Sequence, residues 1–349
     1  MPLHAKWKSD KLLAFAMSED EWIALKRNPE RVYLKMPCCG CRAIPKTSKL
    51  GTQYFSHWKK GECTSAPETA EHLALKTIVA KAAQGQGWNV TTERKGETPS
   101  GEAWVADVYC TKGKVKIAFE IQWSRQSEDE CNRRTEKYKE SGVRCAWFTK
   151  GSKPSGYAIN YVRDLYDLPL FEVTAQGASF KVVRYGVDIA DFVSGMLDGE
   201  LKFLPKQGQD LLVQPRIQQD KCWKCEQSTG VVIGVNYFSA DKDYLGGSSF
   251  EHEAGFIRKN YSNETLLRFG VGSIKDRYSK TVEHYYLSNG CINCGAIYGN
   301  HFLQIEFLHS EYDQPFEYIE VEELTACQQY DLHTHSLEPS WFFRGEKGT

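Results

Sequence analysis

Two acids stand where the chain otherwise reads as β-sheet. In "VADVYCTKGKVKIAFEIQWS", residues 105 to 124, Asp107 and Glu120 interrupt two β-rich apolar runs joined by Lys-Gly-Lys. β-propensity and burial both disfavour carboxylates there, so stability alone does not ask for them. Facing each other across a ladder, two carboxylates repel. Either one takes a proton or a cation neutralises both, and a hard divalent ion such as Mg²⁺ suits one or two carboxylates. Gln122, two residues after Glu120, shares its face and can orient a water or touch a phosphate. Glu71 or Glu68 on the preceding helical stretch can add a third oxygen, and Glu68, His72 and Lys76 form one polar row there. The plain alternative is an exposed sheet face on which both acids pair with Lys or Arg.

A second chemistry is metal ligation by sulfur. "PCCGCRAI" offers Cys38 and Cys41 as a C-x-x-C pair; fifteen residues intervene before His57, and five more before Cys63. Thiolates and an imidazole at this spacing suit tetrahedral Zn²⁺. Cys39 competes with Cys38, but the two-residue spacer favours Cys38. "KCWKCE" supplies Cys222 and Cys225, and "GCINCG" supplies Cys291 and Cys294 across a strand-rich insert of 65 residues. Four thiolates leave no open position, so this second zinc is expected to be structural. Two redox pairs are the rival reading, without the βαβ context such pairs have. Cys110, Cys131, Cys145 and Cys327 read as buried or free thiols, and His333 and His335 as loop residues.

The elements that must position the two acids are legible. Val115, Ile117, Phe119, Ile121 and Trp123 alternate with Lys116, Ala118, Glu120 and Gln122. In the first strand Trp104, Ala106 and Val108 share a face, with Asp107 opposite. A type II′ turn at Gly113-Lys114 sets Asp107 across from Glu120; a turn at Lys112-Gly113 displaces it by two positions. Both acids are then expected on the less apolar face. "SAPETAEHLALKTIVAKAAQGQG" reads as a helix with a Ser65/Glu68 capping box and Pro67 in its first turn. "WNVTTE" and "RCAWFT" read as strands, and "SEDECNRRTEKYKES" as a helix capped by Ser127 and Glu130. The order α-β-β-β-α-β predicts a mixed sheet flanked by helices, an α/β (α+β) class.

The run "FSH", "ETAEHLALK", "ADVY", "AFEIQWS" and "RRTEKY" resembles the competence protein CoiA family, assigned to the PD-(D/E)xK nuclease superfamily. The resemblance covers roughly residues 12 to 200. It implies a PD-(D/E)xK nuclease-like fold, a catalytic Mg²⁺ (or Mn²⁺) and phosphodiester hydrolysis on DNA. Residue by residue, it makes Asp107 and Glu120 the metal-binding acids, matches Glu71 and His72 to the family's Glu-His pair, and sets Gln122 where the motif lysine often stands. Lys76 or Lys116 is then the substitute cation, and Arg133, Arg134 and Lys137 are candidates for phosphate contact. The implied setting is bacterial DNA uptake or processing, or defence against foreign DNA. The alternative is a non-catalytic DNA-binding or scaffold protein that retains the fold.

Bulk properties bound these readings. The 349 residues suggest several domains: 1–65 an N-terminal zinc-binding region, 66–205 the nuclease-like domain, and 221–349 a C-terminal zinc-ribbon-like domain rich in β-structure. Residues 204 to 220 read as a polar linker. No apolar run is long enough to span a membrane, and the first residues lack a secretion signal's apolar core; the expected location is the cytoplasm. The net charge is −1, but Lys26 to Lys60 carries nine Lys or Arg against one acid. Between Lys280 and Arg344 there is neither Lys nor Arg, and "EYDQPFEYIEVEEL" lies inside that stretch. A basic first block suits nucleic acid; the acidic C-terminal region suits a basic protein partner or self-association.

Overall fold

The computed structural model describes residues 2–63, 67–124, 126–151, 168–177, 179–312, 318–320, 324–331 and 337–344. The chain divides into two units, Met1–Lys202 with Phe343–Thr349, and Phe203–Phe342. The N-terminal block therefore folds as part of the first unit. It comprises β1 (His4–Trp7), β2 (Asp10–Leu13), α1 (Glu19–Arg27), β3 (Leu34–Lys35), β4 (Ala43–Thr47) and β5 (Gln53–His57). β2-β1-β3 form one small sheet and β4-β5 a hairpin. Trp22 of α1 and Phe55 of β5, both buried, meet edge to face with ring centroids 5.1 Å apart.

The rest of the first unit follows the expected order. It runs α2 (Ala70–Gly85), β6 (Asn89–Glu97), β7 (Ala103–Lys112), β8 (Val115–Gln122), α3 (Glu128–Glu140), β9 (Arg144–Lys150), β10 (Leu170–Gln176), β11 (Ser179–Val182) and α4 (Ile189–Leu197). The sheet order is β11-β10-β9-β8-β7-β6, with β9 parallel to both β8 and β10. Helices cover both faces. On one, Phe119 and Phe148 pack toward Phe192 of α4, which lies against α2. On the other, Ala118, Cys145 and Trp147 pack with Cys131 and Tyr138 of α3. With both faces buried, apolar alternation cannot mark one face of this sheet as wet. Gly96 admits the Trp104 indole, since a Cβ there would lie 2.1 Å from a ring atom.

α2 starts later than the sequence suggests. Its N-cap is Thr69, whose hydroxyl accepts the His72 N–H, and Glu68 lies before the helix. Ser65 falls outside the described residues. Ser127 does cap α3, accepting the Glu130 N–H at 3.3 Å.

β12 (Leu201–Leu204) runs through the division between the units. The second unit holds β13 (Asp210–Lys221), β14 (Ser228–Phe238), β15 (Tyr244–Ser249), α5 (Phe250–Asn260), α6 (Asn263–Leu267), β16 (Lys275–Ser279), β17 (His284–Gly290), β18 (Ile297–Tyr298), α7 (Asn300–Tyr312), β19 (Tyr318–Glu320) and β20 (Ala326–Gln329). The linker reading of 204–220 is corrected here. β13 is a central strand, paired with β14 on one side and with β19 and β20 on the other. A register shift between Arg216 and Ile217 breaks its alternation, and the flanking prolines and glutamines made it look like a connector. Asn289 clips β17 to β14, exchanging two 2.9 Å hydrogen bonds with the Val232 backbone. Among the described residues no helix is long and apolar enough to cross a membrane.

Candidate active site

β7 and β8 part at the two acids. Their ladder runs from Lys112↔Val115 to Val108↔Phe119, across a Gly113-Lys114 loop in which Gly113 takes φ +59°. This is the preferred turn and register, and one further step sets Asp107 opposite Glu120. There the ladder stops. β7 continues to Ala103 beside β6, and β8 continues to Gln122 beside β9. Asp107 bridges the fork, its Oδ2 accepting the Ile121 N–H at 2.9 Å.

The expectation that both carboxylates share a face is corrected by an irregularity at this fork. Trp104 faces α3, donating its indole N–H to Ser141 Oγ at 2.8 Å. Tyr109 stacks on Trp104, though an unbroken strand would send the two to opposite faces. Alternation thus reverses between them. The β6–β7 ladder omits one pair, Glu93 and Asp107, between Thr92↔Val108 and Arg94↔Ala106. Glu93 is left-handed at φ +49°, a conformation unusual for a residue with a Cβ. Both side chains turn toward α2 as a result. Asp107 Oδ1 lies 3.5 Å from His72 Nε2, and Glu93 Oε1 lies 2.6 Å from Lys76 Nζ.

The α2 side therefore holds a network that spacing alone did not predict. Lys76 is fully buried and also pairs with Glu68 at 2.7 Å. His4, from β1, reaches Glu93 at 3.0 Å and Thr92 at 3.1 Å. Burial would lower the Lys76 pKa, but Glu93 and Glu68 outweigh it and raise it. Burial would raise Glu93, but Lys76 and His4 bring it down to about 2. Asp107 is likewise held below the usual carboxylate range, since His72 and Lys76 outweigh its desolvation. Removing the ammonium leaves facing carboxylates without compensation. Lys76→Met should therefore destabilise the first unit by about 3–5 kcal/mol in urea unfolding; a midpoint within error of wild type would contradict this. A depressed carboxyl contributes stability above its unfolded pKa, near 4.5 for Glu93, and loses it as pH falls toward about 2. The urea midpoint should fall over that window, and less steeply in Glu93→Gln.

Glu120 faces the other way. It is 1% exposed and hydrogen-bonded by Tyr138 and Arg134 of α3. Desolvation and the nearby Asp107 charge raise its pKa to about 8, against the pull of Arg134 and Tyr138. Tyr138 also donates to the Val105 carbonyl at 3.1 Å, filling the fork from this side. Beside it lies a cleft of about 330 Å³ lined by Trp104, Arg133, Arg134 and Lys137 among others. Gln122 donates to Ser124 O and Oγ at 2.8 and 2.9 Å. Glu71 pairs with Lys49 at 2.9 Å, while its neighbour Glu68 joins the network. Sequence reading missed Glu93 and His4. An acid at the end of "WNVTTE" was the available signal for Glu93; His4 had none.

The residues on the α2 side fit a hard divalent cation in part. Asp107 is held in its ionised form and 22% exposed, whereas Glu68 and Glu93 share the single ammonium of Lys76. One ionised carboxylate is enough for an ion that keeps waters and takes phosphate oxygens. Glu120, as bonded here, offers that side no oxygen.

Both cysteine clusters can hold zinc. The ligand atoms of Cys222, Cys225, Cys291 and Cys294 lie within 4.8 Å of one another. The two knuckles have like geometry. Backbone N–H groups of Lys224 and Asn293 donate to Cys222 and Cys291 Sγ at 3.4 and 3.3 Å. Glu226 and Gly295, both left-handed, close the turns onto the carbonyls of Cys222 and Cys291. Burial would raise the Cys291 thiol, but the Cys294 and Asn293 N–H groups bring it down to about 6, toward the thiolate a metal needs. The first cluster is Cys38, Cys39, His57 and Cys63. The expected set had Cys41 where Cys39 stands here, and the Cys41 thiol lies in hydrogen-bonding contact with Cys39. The turn from Met36 to left-handed Gly40 puts Cys39 Sγ 3.3 Å from His57 Nε2. His333 and His335 lie outside the described residues, as does most of the acidic stretch after Tyr312.

No curated protein matches the chain. Residues 68–163, from Glu68 through the forked strands and α3, match the family described as Competence protein CoiA, nuclease-like domain, so the chain carries a nuclease-like domain of the CoiA family.

Proposed function

We propose that this protein is a metal-dependent nuclease that hydrolyses DNA phosphodiester bonds, with Asp107 as the anchor of the metal. The observation that carries this reading is the fork itself. In a domain of nuclease-like family, an ionised carboxylate is held at the parting of two central strands by a backbone N–H. Mg²⁺ or Mn²⁺ bound there would polarise the scissile phosphate and acidify a water. His72 orients the Asp107 carboxylate. Lys76 supplies the positive charge that Gln122 does not, and it holds Glu68 and Glu93 apart. Arg133, Arg134 and Lys137 on α3 are placed to meet backbone phosphates. Glu120 would have to leave Tyr138 and Arg134 to act as a metal ligand. Uptake, processing or defence against foreign DNA all suit such an enzyme.

One observation favours the alternative, a DNA-binding or scaffold protein that retains the fold. Glu120 and Gln122 are both satisfied by protein partners. The two readings separate on purified protein given single- and double-stranded DNA and RNA with Mg²⁺ or Mn²⁺. Metal-dependent cutting supports the nuclease. Binding without cutting, across all substrates and both metals, supports the scaffold.

A further inference from the structure

The second unit carries aromatic rings that its own fold does not use. Tyr285 is 70% exposed and Trp223 67%, the largest values among the exposed large apolar side chains described. Trp223 sits on the zinc knuckle between Cys222 and Cys225. Its indole N–H donates to the Ile297 carbonyl at 3.0 Å, which fixes the ring while leaving it open to solvent. Ile297 lies in β18, paired with Gly290 at the end of β17. At the other end of β17, Tyr285 meets Tyr278 of β16, with centroids 5.3 Å apart at 60°. From Tyr285 to Gly290 is about 17 Å of strand at about 3.4 Å per residue. The platforms thus share one rigid hairpin and one knuckle.

The charge around them is unspent. Lys221, Lys224, Lys275 and Lys280 are exposed, and among the described residues none has a carboxylate partner. Of the acids near the hairpin and knuckle, Asp276 is neutralised by Arg258 at 3.1 Å, leaving Asp220, Glu226 and Glu283 against four lysines. The other exposed tryptophan next to a zinc-cluster residue, Trp58, has the Arg42 guanidinium 4.7 Å over its ring. Among the described residues no cation covers Trp223 in this way.

We propose that the Trp223 knuckle and the β16–β17 hairpin form a binding surface for single-stranded nucleic acid. Unpaired bases stack on Trp223 and Tyr285, and the four lysines meet the phosphates. Exposed aromatic faces beside free lysines match the chemistry of an unpaired strand, in which every base has a face to stack and every linkage a negative charge. A duplex hides its base faces and would use only the lysines.

The test is fluorescence anisotropy of the full-length protein with labelled oligo-dT and oligo-U of about 20 nucleotides, without added Mg²⁺. Trp223→Ala should weaken binding roughly tenfold, and Trp223→Phe, which keeps a stacking face, should restore most of it. Lys221→Gln with Lys224→Gln should reduce the slope of log affinity against log salt by about 0.7 per lysine. Preference between the two oligonucleotides distinguishes DNA from RNA. Wild-type affinity in Trp223→Ala and in the double lysine variant, on both oligonucleotides, would overturn the proposal. So would a hairpin duplex that binds as tightly as oligo-dT and loses as much on Trp223→Ala. Failure here is separable from failure of the nuclease reading. A protein that cuts but ignores Trp223 sinks only this surface, and one that binds through Trp223 but never cuts sinks only the nuclease.

Discussion

Asp107→Asn should lower metal-dependent DNA cleavage by roughly 10³-fold while leaving the protein folded. Asparagine keeps an oxygen to accept the Ile121 N–H, so the fork retains its bridge. What is lost is the negative charge that Lys76 and His72 keep ionised. Nearby acids supply the comparison. Glu71→Gln should cut within about twofold of wild type, because Glu71 is engaged by the exposed Lys49 and not by the network. Glu68→Gln should cost more, because it unbalances the buried Lys76. The measurement is initial cleavage rate at saturating Mg²⁺, with circular dichroism to verify folding. If Asp107→Asn cuts at the wild-type rate, or if Glu71→Gln proves the more damaging change, the site has been misassigned.

Loss of the second zinc cluster should unfold the second unit. Structural zinc contributes on the order of 10–16 kcal/mol in small metal-dependent folds, comparable with or above the whole stability of a domain. Cys222, Cys225, Cys291 and Cys294 tie the ends of β13 and β17 together; two of the four are buried and a third is half-buried. Cys291→Ser removes the thiol that two backbone N–H groups already favour as thiolate. The expected result is one zinc per chain instead of two by elemental analysis, with loss of the β13–β14 amide protection in hydrogen exchange. Two zincs in the variant, or none in the wild type, would argue against paired zinc clusters. None in the wild type, together with oxidisable C-x-x-C pairs, would revive the redox alternative.

Much of the fold was legible because it depends on local pattern. The hairpin register followed from Gly113, since only a residue without a Cβ enters a II′ turn cheaply at its first position. The element order from α2 to β9 followed from capping residues and from strand composition. Where reading failed, a long-range partner had overruled the local signal. β13 looked like a linker because its strand partners β14, β19 and β20 are not visible in its own residues. Thr69 replaced Ser65 as the cap because Glu68 is drawn to Lys76.

By itself the sequence determined the chemistry at hand: which carboxylates interrupt the sheet, which register opposes them, and that cysteine and histidine gather in two clusters able to hold a metal. Only the tertiary structure decided which way the acids point. The side-chain period of a strand is two, so a single irregular pair, Glu93 with Asp107, reverses every direction beyond it. Its position depends on a neighbouring strand, a helix and His4, 103 residues before Asp107 in the chain. No window of sequence around Asp107 contains those partners. The structure thereby separates Asp107, ionised beside Lys76 and His72, from Glu120, buried under Tyr138 and Arg134.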